Sequence, residues 1–200
     1  MMLRQSALAL LCALALSSAA HAITAGQPAP GFTGTDLKGK PVHLSDFKGK
    51  YVVLEWTGRD CPFVQRHYNA KNIPTLQKDW AGRGVVWLSI DSTSTPSGDV
   101  KLVAKLDKWM QAHEAVPKDV LIDADSAIAK LYGAKTTPEM FVINPQGVVI
   151  YAGAIDDDPG ARPEDTWKAK NYVRAALAAA MSGDLVSPAN TTPYGCAIKY

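Results

Sequence analysis

The stretch 51-YVVLEWTGRDCPFV-64 is the strongest indication of the fold of this chain. Residues 51–56 form an apolar run rich in β-branched and aromatic side chains, which is typical of a buried central strand. A Thr-Gly turn follows, and then Cys61 precedes Pro62. Because proline is favoured at the first position of a helix, we expect a helix to begin at Pro62 with Cys61 as its N-cap. The sequence therefore predicts a strand that runs through a turn and a cysteine into a helix.

Cys61 lies where this layout favours a reactive thiolate. The unpaired N–H groups and the positive dipole end of a helix face the N-cap sulfur and favour its charged form. Arg59 would add positive charge, whereas Asp60 opposes it. Since the thiolate is the form that attacks disulfides and peroxides, Cys61 is the candidate catalytic nucleophile. The alternative is a buried and inert cysteine.

The composition is that of an ordinary globular domain preceded by an export signal. The chain has 200 residues, 47% of them hydrophobic, and a formal net charge of +2, so no basic excess points to nucleic acid. Arg4 precedes an apolar run over residues 6–20, and Ala-His-Ala follows, which together predict a secretory signal peptide over residues 1–22. An uncleaved N-terminal anchor is the alternative. We expect a single domain over residues 23–183, an irregular tail over residues 184–200, and no membrane span after cleavage.

The rest of the chain alternates between strand and helix patterns. Strands are predicted at residues 84–91 and 119–123, and residues 139–153 have the pattern of two strands around an Asn-Pro-Gln-Gly turn. Helices are predicted over residues 62–82 with an interruption at Pro74, over 98–115, from Asp123 or Asp125 to Tyr132, and over 165–182 with Gly183 as the stop. This order predicts an α/β fold with a mixed central sheet flanked by helices on both faces.

Cys196 is the second cysteine of the exported chain, because cleavage after Ala22 removes Cys12. In an oxidising compartment, a pair of cysteines is either a structural disulfide or a redox device. The 13 steps from Gly183 to Cys196 reach up to about 43 Å, which exceeds the roughly 30 Å width of a small domain. The tail can therefore bring Cys196 to Cys61 as a resolving thiol or as a static staple. A bridge between two subunits is a third possibility.

Thr137-Pro138 is the other element of interest. It comes directly before a predicted strand, where a cis proline would form a tight turn and a trans proline would open an edge strand. The residues alone do not decide between the two.

Together these segments resemble the thioredoxin-like redoxins, the group that includes the alkyl hydroperoxide reductase and thiol-specific antioxidant peroxiredoxins. The resemblance spans roughly residues 26–183 and is carried by GQPAPGFTGTDLKGKPVHLSDFKGKYVVLEWTGRDCPF, VVWLSID and TTPEMFVINPQGVVIYAG. It implies a thioredoxin-like fold with Cys61 as the nucleophile and Pro138 as a cis proline beside it. It also implies that the Thr137 backbone is able to hydrogen-bond an incoming disulfide. We assign Thr137, Pro138 and Pro62 as the substrate-binding residues. Cys196 is similar to the resolving cysteine that some peroxiredoxins carry in a C-terminal segment.

Two departures from the family pattern bear on the chemistry. Val64 stands where a Cys-x-x-Cys motif has its second cysteine, so the local resolving thiol is absent. Typical peroxiredoxins place a threonine or serine three residues before the reactive cysteine, where this chain has Gly58. Thr57 lies one position further back, and we count it with Arg59 as a supporting residue. The resemblance is therefore closer for thiol chemistry than for peroxide reduction.

We predict an exported thiol oxidoreductase, located in a bacterial periplasm, with no cofactor and no metal. Its partners would be a protein disulfide, a small thiol or a peroxide as substrate, and a separate reductant. Two alternatives stay open: a non-catalytic redoxin-fold binding module with a structural Cys61–Cys196 disulfide, and a Sco-like copper(I) site. Sco proteins use two closely spaced cysteines and a histidine, whereas Gln65 is the residue four positions after Cys61.

Other polar and aromatic residues are interpreted as structural. His67 is expected to face solvent on the first helix, and residues 155–160, IDDDPG, to form a solvated loop. His113 is expected to be partly buried with its hydrogen bonds satisfied, and the tryptophans to be buried or partly buried.

Overall fold

The computed structural model describes residues 22–93 and 100–199, so all of the predicted signal peptide except Ala22 lies outside the described residues. The strands in this part of the chain are β1 (Thr33–Asp36), β2 (Pro41–His43), β3 (Val52–Thr57), β4 (Val86–Asp91), β5 (Asp119–Ile122), β6 (Thr136–Thr137), β7 (Glu139–Ile143), β8 (Val149–Gly153) and β9 (Cys196–Ala197). The α-helices are α1 (Pro62–Asn69), α2 (Asn72–Ala81), α3 (Val100–Ala112), α4 (Ala127–Tyr132) and α5 (Tyr172–Ser182). Two 3₁₀ helices cover Leu44–Phe47 and Pro163–Lys168.

The central sheet has the strand order β2-β1-β5-β4-β3-β7-β8. β3, β4 and β5 run parallel to one another, whereas β1, β7 and β8 pair antiparallel with their neighbours. The sheet is therefore mixed, as predicted, and β7 and β8 form the predicted hairpin. β6 and β9 pair with each other in a separate two-stranded sheet.

Helices cover both faces of the sheet, which confirms the predicted architecture. Apolar side chains of α1, α2, α3 and α5 pack on one face, and those of α4 and of the first 3₁₀ helix pack on the other. Every residue of β3 is buried. This double coverage explains why β3 is a continuous apolar run instead of an alternating one.

The predicted helix over residues 62–82 is two helices, and the break lies before the proline. Lys71 adopts a left-handed conformation, with φ of 56°, which separates α1 from α2. Pro74 then lies in the first turn of α2, where a missing N–H costs no helical hydrogen bond. The proline therefore accompanies a restart of the helix, and the predicted interruption lies three residues before it.

The last helix is shorter than predicted at its N-terminus. The predicted start, Asp165, lies in the second 3₁₀ helix, and α5 begins at Tyr172. Asn171 caps α5, because its side chain accepts a hydrogen bond from the backbone N–H of Arg174. Gly183 ends the helix in the left-handed conformation, as predicted. The helix therefore begins directly after its capping residue, Asn171, and not where the apolar spacing predicted.

The tail after α5 is docked beside β8. Ala152 donates its backbone N–H to Ala189 and accepts from the N–H of Thr191. The hydroxyl of Thr191 also accepts from the Ala154 N–H at 2.9 Å. The tail is mostly irregular in secondary structure, as predicted, but its backbone hydrogen bonds fix its course. Among the described residues, no helix has the length and apolarity needed to cross a membrane.

Gly153 provides a direct test of this docking. Its φ of 140° disfavours other residues, and a Cβ at this position would overlap the backbone oxygen of Thr191. We expect Gly153→Ala to destabilise the protein by more than the roughly 1–3 kcal/mol of backbone strain alone, because the tail must also shift. Gly147→Ala is the matched control, since Gly147 has a φ of 79° but nothing within 4 Å of an added Cβ. Urea unfolding measures both, and an equal cost for the two variants would contradict tail docking at Gly153.

Candidate active site

Cys61 lies between the C-terminal end of β3 and the first turn of α1. Its backbone is extended, with φ of −80° and ψ of 122°, and Pro62 occupies the first helical position. Cys61 is therefore the N-cap of α1, as the sequence predicted. Its N–H donates to the backbone oxygen of Gly58 at 3.0 Å, which closes the turn after β3. The local sequence thus places the sulfur at the positive end of a helix.

Cys61 and Cys196 form a disulfide across 135 residues of sequence, with their Cα atoms 5.9 Å apart. β9 brings Cys196 to this point by pairing antiparallel with β6, in a register that sets Cys196 opposite Thr137. Cys61 is buried, whereas Cys196 is half-buried. The sequence left open whether Cys196 pairs with Cys61 in the same chain or bridges two subunits. In the structure, the two cysteines are bonded within a single chain.

The Thr137–Pro138 peptide is cis, as the family resemblance implied. The turn brings the backbone oxygen of Thr137 to 3.1 Å from the sulfur of Cys61. In the reduced protein, a Cys61 thiol at this place would donate its hydrogen to that oxygen. Glu139 holds the turn from behind, since its buried carboxylate accepts the backbone N–H groups of Lys135 and Thr136 at 2.7 and 3.0 Å.

The other predicted site residues surround this pair at different depths. Pro62 is exposed on the first turn of α1. Arg59 is partly exposed and forms an ion pair with Asp60 at 3.3 Å, so part of its charge is already compensated. Thr57 is buried at the end of β3 and lines a cavity that both cysteines also line.

A cavity of about 430 Å³ opens directly beside the disulfide. Both cysteines line it, together with the predicted residues Thr57, Arg59 and Thr137. Its apolar wall is formed by side chains of α3 and β5, which include Leu102, Leu106 and Ile122. The two sulfur atoms are therefore next to a space that is large enough for a small substrate.

Glu55 is a buried acid that our sequence analysis did not single out. Its side chain lies in the core under α1, where the carboxylate accepts hydrogen bonds from Tyr68 at 2.8 Å, Trp87 at 2.7 Å and Ser89 at 2.8 Å. Burial raises the pKa of Glu55, and these hydrogen bonds act against that rise. A charged residue inside the apolar run YVVLEW was the signal that could have revealed it.

A second polar cluster joins α1 to the tail, and it corrects two expectations. His67, expected to face solvent, is fully buried, and Asp156, expected in a solvated loop, is also buried. The hydroxyl of Tyr194 lies between them: it donates to Asp156, lies 3.2 Å from the His67 ring and accepts from Arg66 at 2.8 Å. Asp157 and Asp158 are exposed, as expected of a solvated loop.

Of the remaining structural predictions, the one for His113 is confirmed and the one for the tryptophans is partly wrong. His113 is half-buried and bonds the Trp109 backbone oxygen and the Asn69 side chain at 2.8 and 3.1 Å, which confirms the prediction. The prediction for the tryptophans is wrong for Trp167, which is 78% exposed on the second 3₁₀ helix. Within residues 22–93 and 100–199, no group of three or more potential metal ligands occurs.

Comparisons with known proteins agree with this geometry. The sequence matches the AhpC/TSA family over residues 25–152. The thiol-disulfide oxidoreductase ResA of Bacillus thuringiensis subsp. konkukian is 32% identical over 125 residues, which cover 62% of this chain and 66% of ResA. The peroxiredoxin-like protein ycf42 of Porphyra purpurea is 27% identical over 191 residues, which cover 86% of this chain and 88% of ycf42. The chain thus spans just under two thirds of the length of ResA.

Solved structures agree on the fold. The hypothetical protein SMc02350 from Sinorhizobium meliloti 1021 superposes with a TM-score of 0.75 at 27% identity, covering 90% of this chain and 96% of that one. The thioredoxin domain of the thiol-disulfide oxidoreductase BVU-2223 from Bacteroides vulgatus superposes with a TM-score of 0.53 at 20% identity, covering 74% and 97%. The predicted thioredoxin-like fold is confirmed.

The buried His67 predicts a specific pH dependence of stability. Burial, with a contribution from the neighbouring Arg66, lowers the pKa of His67 from 6.5 to about 3. The unfolded chain therefore takes up a proton below pH 6.5 that the folded chain refuses, and stability falls as the pH drops from 6.5 towards 3. We expect His67→Gln to lose this contribution, which is about 1.4 kcal/mol per pH unit well below pH 6.5.

Urea unfolding of both proteins at several pH values between 7 and 4 measures this difference. The exposed His43 provides the control variant His43→Gln. A difference between wild type and His67→Gln that stays constant across this range would contradict a buried neutral His67.

Proposed function

Because this chain belongs to the AhpC/TSA family, we propose that it is an exported thiol-disulfide oxidoreductase whose nucleophile is Cys61 and whose resolving thiol is Cys196. The observation that carries the proposal is the Cys61–Cys196 disulfide beside the cis Thr137–Pro138 turn. Export rests on the signal peptide pattern of residues 1–22, and a bacterial periplasm is the compartment that fits a disulfide of this kind.

In the reduced protein, the thiolate of Cys61 attacks one sulfur of a substrate disulfide. A bond forms between that sulfur and Cys61, and the other substrate sulfur leaves as a thiolate. The thiolate of Cys196 then attacks the Cys61 sulfur, which releases the second substrate thiolate and forms the Cys61–Cys196 bond. The substrate is reduced by two electrons and the protein is oxidised by two. An external thiol reductant restores both thiols in the same two steps.

The substrate contacts that we propose are the cis turn and the first turn of α1. The backbone of Thr137 lies next to the Cys61 sulfur, and Pro138 and Pro62 flank it, so an extended segment on either side of a substrate cysteine has a surface to rest on. Arg59 and Thr57 support the site from the cavity wall. A protein disulfide or a small disulfide suits this arrangement better than a peroxide, because Gly58 offers no hydroxyl where typical peroxiredoxins have one.

The alternative is that the Cys61–Cys196 bond is purely structural. The hydrogen bonds of the tail on both sides of Cys196 are evidence against this alternative. Thr191 bonds β8 before Cys196, and the Ile198 N–H bonds the Lys135 backbone oxygen after it. The tail therefore has anchors on both sides of Cys196 that do not depend on the disulfide. Both sulfurs also line an open cavity, where an incoming thiol has access to the half-buried Cys196.

The redox potential of the cysteine pair tests the proposal. We would equilibrate the full chain carrying Cys12→Ser, which leaves Cys61 and Cys196 as its cysteines, in a series of thiol–disulfide buffers, and count free thiols by alkylation and mass spectrometry. We expect half-reduction between about −120 and −270 mV, the range of working thiol oxidoreductases. The controls Cys61→Ser and Cys196→Ser should each show no such transition.

A structural staple would resist reduction down to about −300 mV or below. That outcome, or the absence of a disulfide between these two cysteines in solution, would contradict the proposed function. Turnover of hydrogen peroxide by the same preparation would assign the substrate to the peroxide class instead.

A further inference from the structure

A buried polar cluster, formed by Arg66, His67, Asp156 and Tyr194, holds the tail against α1. The three partners of Tyr194 in the domain are 7% exposed or less. The Tyr194 hydroxyl accepts a hydrogen bond from the guanidinium of Arg66 at 2.8 Å and donates to a carboxylate oxygen of Asp156. The tyrosine is the only member of the cluster that the tail supplies.

The Arg66 side chain is held in place from several directions, so it gives the tyrosine a fixed partner. Its guanidinium donates to the backbone oxygens of Pro159 and Ala161 at 2.8 and 3.0 Å. It also lies over the rings of Phe63 and Tyr194, at 5.9 and 5.5 Å from their centroids. The site that receives the tyrosine is thus built from α1 and from the loop after β8.

The domain side of the cluster is incomplete without the tyrosine. One carboxylate oxygen of Asp156 is buried and has no hydrogen-bond partner, and the other accepts from the Tyr194 hydroxyl and from the Asp158 backbone N–H at 3.2 Å. Loss of that hydroxyl would leave a buried carboxylate with fewer partners, which is costly in a region of low dielectric constant. Tail docking is therefore favoured even when no disulfide holds it.

The chain leaves little freedom between Tyr194 and Cys196. Only Gly195 lies between them, and it passes so close to the Thr137 carbonyl that an added Cβ would overlap that group. On the other side of Cys196, Ile198 is bonded to the Lys135 backbone oxygen. An anchored Tyr194 therefore fixes the Cys196 sulfur within reach of Cys61.

We infer that Tyr194 is a positioning residue for the resolving step: its hydroxyl, held between Arg66 and Asp156, keeps the reduced Cys196 thiol beside Cys61. This inference rests on the proposed redox role of the two cysteines. In the reduced protein, the attack of Cys196 on Cys61 is intramolecular, and the docked tail gives it a high effective concentration. In a Cys-x-x-Cys motif, the short sequence separation keeps the two thiols close together. In this chain, the Tyr194 cluster has that role.

The test is the equilibrium of the Cys61–Cys196 disulfide with reduced and oxidised glutathione, measured in the full chain carrying Cys12→Ser. We expect Tyr194→Phe to lower the effective concentration of Cys196 at Cys61 by about tenfold or more, the order expected for one charge-assisted hydrogen bond. For this two-electron couple, tenfold corresponds to a potential less negative by about 30 mV. Tyr172→Phe is the matched control, since that tyrosine stacks on Tyr151 outside the cluster.

A second measurement separates positioning from general stability. Amide hydrogen exchange at Ile198 in the reduced protein reports whether the tail is docked, and Tyr194→Phe should accelerate it while exchange in β3 stays unchanged. Asp156→Asn should act in the same direction as Tyr194→Phe, because it weakens the same hydrogen bond.

The outcomes distinguish this inference from the proposed function. A reversible wild-type couple with an unchanged equilibrium in Tyr194→Phe would overturn the positioning role and leave the proposed function intact. Faster exchange at Ile198 without a change in the disulfide equilibrium would also overturn it, since the tail would then move without affecting Cys196. A wild-type pair that does not cycle at all would instead reject the proposed function.

Discussion

The antiparallel pairing of Thr136–Thr137 with Cys196–Ala197 is the contact on which the site depends. It places the end of the chain against the cis turn, next to the N-cap of α1, where the Cys61 sulfur lies 3.1 Å from the Thr137 oxygen. A tail of this length has very many conformations, and ordering it carries a large entropic cost. The chain offsets that cost with backbone hydrogen bonds beside β8 and with the Tyr194 cluster. Gly153 and Gly195 add to the entropic cost, but without a Cβ they let two backbones pass closely.

Val64 explains why the second thiol comes from so far away. This residue, which occupies the place of the second cysteine in a Cys-x-x-Cys motif, is fully buried in the core between α1 and the sheet. An apolar side chain there stabilises the packing of α1 but supplies no thiol. In a Cys-x-x-Cys motif, one residue both packs against the core and supplies the second thiol. Here Val64 on α1 provides the packing, and the tail supplies the thiol of Cys196.

The sequence predicted the parts of the site that depend on neighbouring residues. The strand, the turn and the Cys-Pro helix start follow from local preferences, and the reach of the tail follows from its length. The cis state of Pro138 came only from the family resemblance. The burial of His67 and Asp156 escaped prediction, because both side chains contact Tyr194, which lies 127 residues after His67 along the chain. Hydrophobic periodicity describes one element at a time and carries no information about such a partner.

Trapping of the mixed-disulfide intermediate shows whether Cys61 attacks the substrate and Cys196 resolves the product. Reduced protein carrying Cys12→Ser would be mixed with a chromogenic aryl disulfide, while the released aryl thiolate and the mass of the protein are followed. We expect the otherwise wild-type site to release about two equivalents of thiolate and to keep no adduct, whereas Cys196→Ser should release about one and keep the aryl group on Cys61. A persistent adduct on the wild-type site, or an adduct that forms faster on Cys196 than on Cys61, would contradict these roles of the two cysteines.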